Sequence, residues 1–80
     1  MNYDNLALFT LIAESGSFTA AANRLGIPKS KLSRRLAELE DRLGTQLIQR
    51  TTRRLNLTQS GEVLLQAVQP HIHALSQAEH

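Results

Sequence analysis

The side chains of this sequence that could do chemistry are three histidines, scattered serines and nine cations. His71 and His73 are two apart, so on a helix they point in different directions and do not form a metal pair, and His80 is terminal. No serine has a His or Lys partner at a spacing that suggests an activated nucleophile. There is no cysteine, which removes disulfide frameworks and thiolate zinc sites. No enzyme activity is expected, and no metal or cofactor site within this chain. The cations are different. Eight of the nine lie between Pro28 and Arg54, against three acids, a local balance of +5, while the remainder of the chain carries −3. A basic side backed by an acidic one suggests a polyanion that meets one face of the molecule.

The densest part of that basic region is PKSKLSRRLAELEDRLG, Pro28 to Gly44. Leu32, Leu36, Leu39 and Leu43 recur at helical spacing, with Pro28 expected at the first helical position, so a helix is predicted over 28–43. Lys29, Lys31, Arg34 and Arg35 crowd its first half, where the helix dipole disfavours cations by roughly 0.3–1 kcal/mol each at exposed sites. Stability alone does not explain this order, whereas a polyanion at that end does. Successive steps of 100° place Ser30, Ser33, Arg34 and Ala37 broadly opposite the leucines, on a narrow polar face able to approach base edges. Lys31 and Arg35 flank that face and are expected to reach phosphates. Glu38 is expected to pair with Arg34, Arg35 or Arg42, and the trio Glu38, Glu40 and Asp41 reads as a solvated face.

The flanking elements are those that would present such a helix. Asp4 can cap a first helix with Leu6, Phe9, Ile12 and Ala13 inward and Gly16 at its end. Ser17 can cap a second, FTAAANRL, closed by Gly26. Only Gly26 and Ile27 separate it from Pro28, the connection of a helix-turn-helix, although an ordinary helical hairpin has the same features. QLIQ and LNLT read as short strands around the basic segment RTTRR; the pair is either a hairpin with Arg53 and Arg54 at its tip or a charged surface loop. Thr58 can cap a last helix reaching about Glu79, in which Leu65, Val68, Ile72 and Leu75 repeat as in a coiled-coil seam. Its stripe is wider than so small a core can cover, so part of it is expected to meet a second chain. Pro70 should bend this helix near 66–70 without breaking it.

GSFTAAA, LSRRLAELEDRLG, RTTRR and LTQSGE, in that order, resemble the N-terminal DNA-binding domain of LysR-type transcriptional regulators, and the likeness covers nearly the whole chain. It implies a mainly α fold: a winged helix-turn-helix of three helices and a two-stranded wing over residues 1–58, followed by a linker and dimerisation helix over 59–80. It also implies sequence-specific binding of double-stranded promoter DNA by a bacterial regulator of transcription initiation, as a dimer on an interrupted palindrome.

By the same likeness, helix 28–43 enters the major groove with Lys29, Ser30, Ser33 and Arg34 at bases or phosphates, and wing 50–54 follows the minor groove through Arg53 and Arg54. Ser17, Phe18 and Thr19 bring the second helix to the backbone, where Lys31, Arg35 and Arg50 add phosphate contacts. Leu65, Val68, Ile72 and Leu75 are the expected dimerisation residues. Members of the family continue into a domain that binds a small-molecule effector, form tetramers and act on RNA polymerase, so this chain is expected to be a fragment without effector sensing. Departures are Pro28 where a polar cap is frequent, Ser30 where Pro is frequent, Lys31 for a small residue, Ile48 for Phe and Thr52 for Gly.

Eighty residues make one small domain. No apolar run approaches the ~20 residues of a membrane span, and NYDN after Met1 is not an export signal, so a cytoplasmic location without membrane contact is expected. Two alternatives remain on sequence grounds: a protein-interaction module built on the last helix, and packaging of nucleic acid without sequence preference.

Overall fold

The computed structural model describes residues 3–49 and 55–78. The described residues form four helices, α1 (Tyr3–Ser15), α2 (Phe18–Leu25), α3 (Lys29–Leu43) and α4 (Gln59–Ala78), and, between α3 and α4, a pair of strands, β1 (Ile48–Gln49) and β2 (Asn56–Leu57). The strands are antiparallel, with Ile48 opposite Leu57 and Gln49 opposite Asn56. They are shorter than the expected QLIQ and LNLT, because Gln46 and Leu47 and the flanking Leu55 and Thr58 lie outside the ladder.

The turn chemistry expected at Gly16 and Gly26 is realised, and Gly44 ends α3 in the same way. Gly16, Gly26 and Gly44 all take positive φ, the left-handed conformation that ends a helix. Ser17 caps α2, its Oγ accepting the Ala20 N–H at 3.0 Å. Thr58 caps α4, its Oγ1 accepting the Gly61 N–H at 3.0 Å. Two starts differ from expectation. Helix α1 already includes Tyr3, so Asp4 lies in its first turn, where its charge still suits the dipole. Pro28 is the cap residue of α3 and not its first helical residue, with φ −63° and ψ 145°. Its fixed φ fits either place; its extended ψ leaves only its carbonyl for the helix, and that oxygen accepts Lys31 N and Leu32 N.

The core draws on every helix of the helix-turn-helix: Phe9 and Ile12 from α1, Ala21 from α2, and Leu32, Leu36 and Leu39 from α3 are fully buried, joined by Leu47 and Ile48. Truncating one of these leucines should cost about 2–5 kcal/mol, a large share of the stability of so small a domain. The alanines of α2 allow the close helix approach that turns α3 outward. Buried Thr10 satisfies its hydroxyl on Leu6 O at 3.0 Å.

Helix α4 runs unbroken through Pro70 and packs against α1 and β2. Gly61 is buried, Leu64, Leu65 and Val68 are half-buried, and Ile72 is buried within the single chain. Beside them Glu14 of α1 receives two side chains of α4, His73 Nε2 at 2.8 Å and the Gln69 amide. Both ends of that contact are open to solvent, so its contribution to stability is small. Val63 and Leu75 remain exposed.

Candidate nucleic-acid interface

Helix α3 buries Leu32, Leu36 and Leu39, half-buries Leu43, and turns a hydrophilic side outward. Lys29, Ser30, Lys31 and Arg34 are exposed, while Ser33 and Ala37 are half-covered. Among the described residues no carboxylate forms an ion pair with Lys29, Lys31, Arg34 or Arg35. The expected pairing of Glu38 with its arginine neighbours is therefore absent, because a solvated pair on a helix surface gains little against side-chain entropy. The cations of the first two turns stay available to an outside anion. Pro28 offers no side-chain hydrogen bond to this helix end, so no side chain of its own competes for the first N–H groups.

Arg35 is placed differently from its neighbours. It is half-buried and lines a shallow groove with Asp4, Ala7, Leu8, Leu11 and Leu25, on the side of α3 that meets α1. At the start of α2, Ser17 is occupied as cap, Phe18 packs against the core, and Thr19 is exposed. The capping bond and the helix dipole together present the first turn of α2 on the molecule's surface. Arg50, Arg53 and Arg54 lie outside the described residues. Before and after that segment, Gln49 of β1 and Asn56 of β2 pair with each other. Of the four apolar residues of the α4 seam, Ile72 is buried against its own chain, Leu65 and Val68 are partly so, and Leu75 is exposed.

Glu40 corrects the sequence reading. Its neighbours in the chain suggest a solvated face shared with Glu38 and Asp41, yet it is only 9% exposed, and its Oε2 accepts the N–H of Leu47 at 2.7 Å and of Ile48 at 3.3 Å. The reason is the chain reversal at Gly44, which folds the segment 45–48 back along α3 and brings two unpaired amides to that carboxylate. Gly61, unremarked in the sequence, is needed because α4 passes directly over the Leu47 carbonyl. The spacing from capping Thr58 to Glu62 in LTQSGE is visible in the sequence; what Gly61 faces is not.

The arrangement of a compact helical corner, an outward cationic helix and a two-stranded element agrees with comparisons to known proteins. The sequence pattern described as "Bacterial regulatory helix-turn-helix protein, lysR family" matches residues 3–62. This chain belongs to the lysR family. The regulator PtxR of Pseudomonas aeruginosa is 51% identical over 69 residues, which are 86% of this chain and 22% of PtxR. An HTH-type transcriptional regulator of Xanthomonas campestris pv. campestris is 49% identical over 72 residues, 90% of this chain and 21% of its own length. Full-length AphB, a Vibrio cholerae virulence activator, superposes with a TM-score of 0.94 at 35% identity, covering 99% of this chain and 27% of AphB. The BenM DNA-binding domain in its complex with catB site 1 DNA superposes with a TM-score of 0.88 at 33% identity, covering 98% of this chain and 87% of that one. The lysR chain described here thus spans about a fifth of the length of the regulators it matches in sequence. Among its described residues no helix is long and apolar enough to cross a membrane.

Proposed function

We propose that this lysR-family chain is the double-stranded DNA-binding unit of a transcriptional regulator. Helix α3 lies in the major groove, Lys29 and Arg34 read base edges, and Ser30 and Ser33 allow close approach. Lys31 and the start of α2 hold phosphates, and Arg50, Arg53 and Arg54 follow the backbone and minor groove. The observation that carries this reading is the exposed group Lys29, Lys31 and Arg34, which has no carboxylate partner among the described residues and stands on a helix whose opposite face places Leu32, Leu36 and Leu39 in the core. Lys29 and Lys31 lie in the first turn of α3, where the helix dipole disfavours cations in the free protein and phosphate would offset that cost; Arg34 follows one turn on. The likeness to a DNA-binding domain seen in complex with DNA supports the same docking.

Two copies on an interrupted palindrome are the natural arrangement for one recognition helix per half-site. The outward residues of α4, Val63 and Leu75, are what a second copy would cover beyond the share already used by α1. The remaining four-fifths of the relatives' length is where effector binding, higher assembly and contact with RNA polymerase would reside.

Selection from random duplexes at near-physiological salt tests the proposal. Enrichment of a palindrome with a spacer is the expected result. Equal recovery of all duplexes would instead mean packaging without sequence preference, and tight self-association with no retained duplex would mean a protein-interaction module.

A further inference from the structure

Glu40 lies on the recognition helix but has no place on its groove-facing side. A buried carboxylate is costly unless strong hydrogen bonds offset its desolvation, and here the main-chain N–H groups of Leu47 and Ile48 supply them. An apolar side chain would fill the same space while leaving those two amides unpaired. The segment Glu40 grips is also gripped from the other side. Thr58 Oγ1 donates to Gln46 O at 2.6 Å, Thr58 N donates to Leu47 O at 2.9 Å, and Gly61 lies against that carbonyl. Thr45 Oγ1 adds a bond to Ser60 Oγ at 3.1 Å. Residues 45–48 are therefore the joint at which α3, the strand pair and α4 meet, and Glu40 is the recognition helix's own hold on that joint.

We infer that Glu40 is a positioning residue for sequence-specific binding. It fixes the spacing of α3 from β1, and so the register in which the base-reading face of α3 and the strand pair β1–β2 meet one duplex. This rests on the DNA-binding reading above. Non-specific affinity comes from phosphate neutralisation and tolerates small displacements, whereas base contacts require defined geometry. Loosening the joint should therefore reduce discrimination more than attraction.

The test compares Glu40→Leu with Glu40→Gln in the whole chain. Leucine removes the acceptor, while glutamine keeps an oxygen in place. The probes are the duplex enriched by selection and a scrambled duplex of equal length and composition, with affinities taken per folded molecule. For Glu40→Leu the specific affinity is expected to fall about tenfold or more while the scrambled duplex changes less than about threefold, since a single impaired base pair readout already carries about tenfold. Glu40→Gln should restore most of the ratio. Amide exchange at Leu47 and Ile48 should quicken in the leucine variant and not in the glutamine one. Should Glu40→Leu fail to fold, Glu40→Asp, which keeps the charge on a shorter arm, provides the same comparison. An unchanged ratio of specific to scrambled affinity, or equal losses on both duplexes, would overturn the inference. Failure of the unaltered chain to enrich any duplex would remove the sequence-specific reading itself, and the positioning role with it.

Discussion

The backbone of Gly61 in α4 lies against the carbonyl oxygen of Leu47 so closely that any side-chain carbon at residue 61 would overlap it. That carbonyl cannot retreat freely, because it also accepts the Thr58 N–H at 2.9 Å. Alanine normally gains up to about 1 kcal/mol over glycine within a helix, but overpacking against backbone costs about 1–3 kcal/mol and here meets a fixed atom. Gly61→Ala is expected to destabilise the chain on balance, with a melting temperature lower by several degrees. A variant as stable as the parent in urea and thermal unfolding would show that the two elements can slide apart at no cost.

Ser17 caps α2, and substitutions can separate that role from the phosphate contact proposed for it. Ser17→Ala removes the acceptor for Ala20 N and should cost about 1 kcal/mol of stability. Ser17→Asp keeps a capping oxygen and so should keep the stability, but it sets a negative charge where phosphate is expected and should weaken DNA binding. Equal affinity for DNA in Ser17→Asp and the parent would remove the start of α2 from the interface.

Arg34 is exposed and has no ion-pair partner among the described residues, so little folding energy rests on it. Arg34→Ala is expected to cost about 1–3 kcal/mol on the preferred duplex and to relax preference at one base pair, guanine being the expected target. Uniform weakening across all sequences would reduce it to a phosphate contact.

Much of this architecture is legible in the sequence because its signals are local. The glycines that end α1, α2 and α3, the serine that caps α2, the threonine that caps α4 and the leucine period of α3 each act within a turn or two of their own position. What could not be read depends on residues brought together from a distance. Glu40 looks like Glu38 and Asp41 until the chain reverses at Gly44 and presents amides seven and eight residues further on. Gly61 looks like a weak point in a helix until α4 is laid over Leu47. Arg35 shares a charge with Arg34 but sits one helical step round, beside α1. The α4 seam is visible as a period, yet periodicity does not say whether α1 or a second chain covers it.

Substitutions on α4 separate those two uses. Ile72 is buried in its own chain, so Ile72→Ala should cost roughly 2 kcal/mol or more of stability. Leu75→Glu and Val63→Glu change exposed positions and should leave unfolding nearly unchanged while shifting sedimentation toward the single chain. Retained dimers in both glutamate variants would place the contact elsewhere.

For the basic segment 50–54 the decisive quantity is the salt dependence of binding. Replacing Arg53 and Arg54 by alanine should shallow the slope of log affinity against log salt by about one for each phosphate that these side chains neutralise. An unchanged slope would rule out their engagement with the duplex.

The cations at the start of α3, without a carboxylate partner among the described residues, also bear on the protein when no duplex is near. Lys29, Lys31 and Arg34 repel one another, the first two also oppose the dipole of their own helix, and dissolved salt weakens both effects. Raising ionic strength should therefore make the free protein harder to unfold while making it quicker to leave its site. The two responses have opposite sign and come from the same few charges, so one salt titration of folding and of binding reads both.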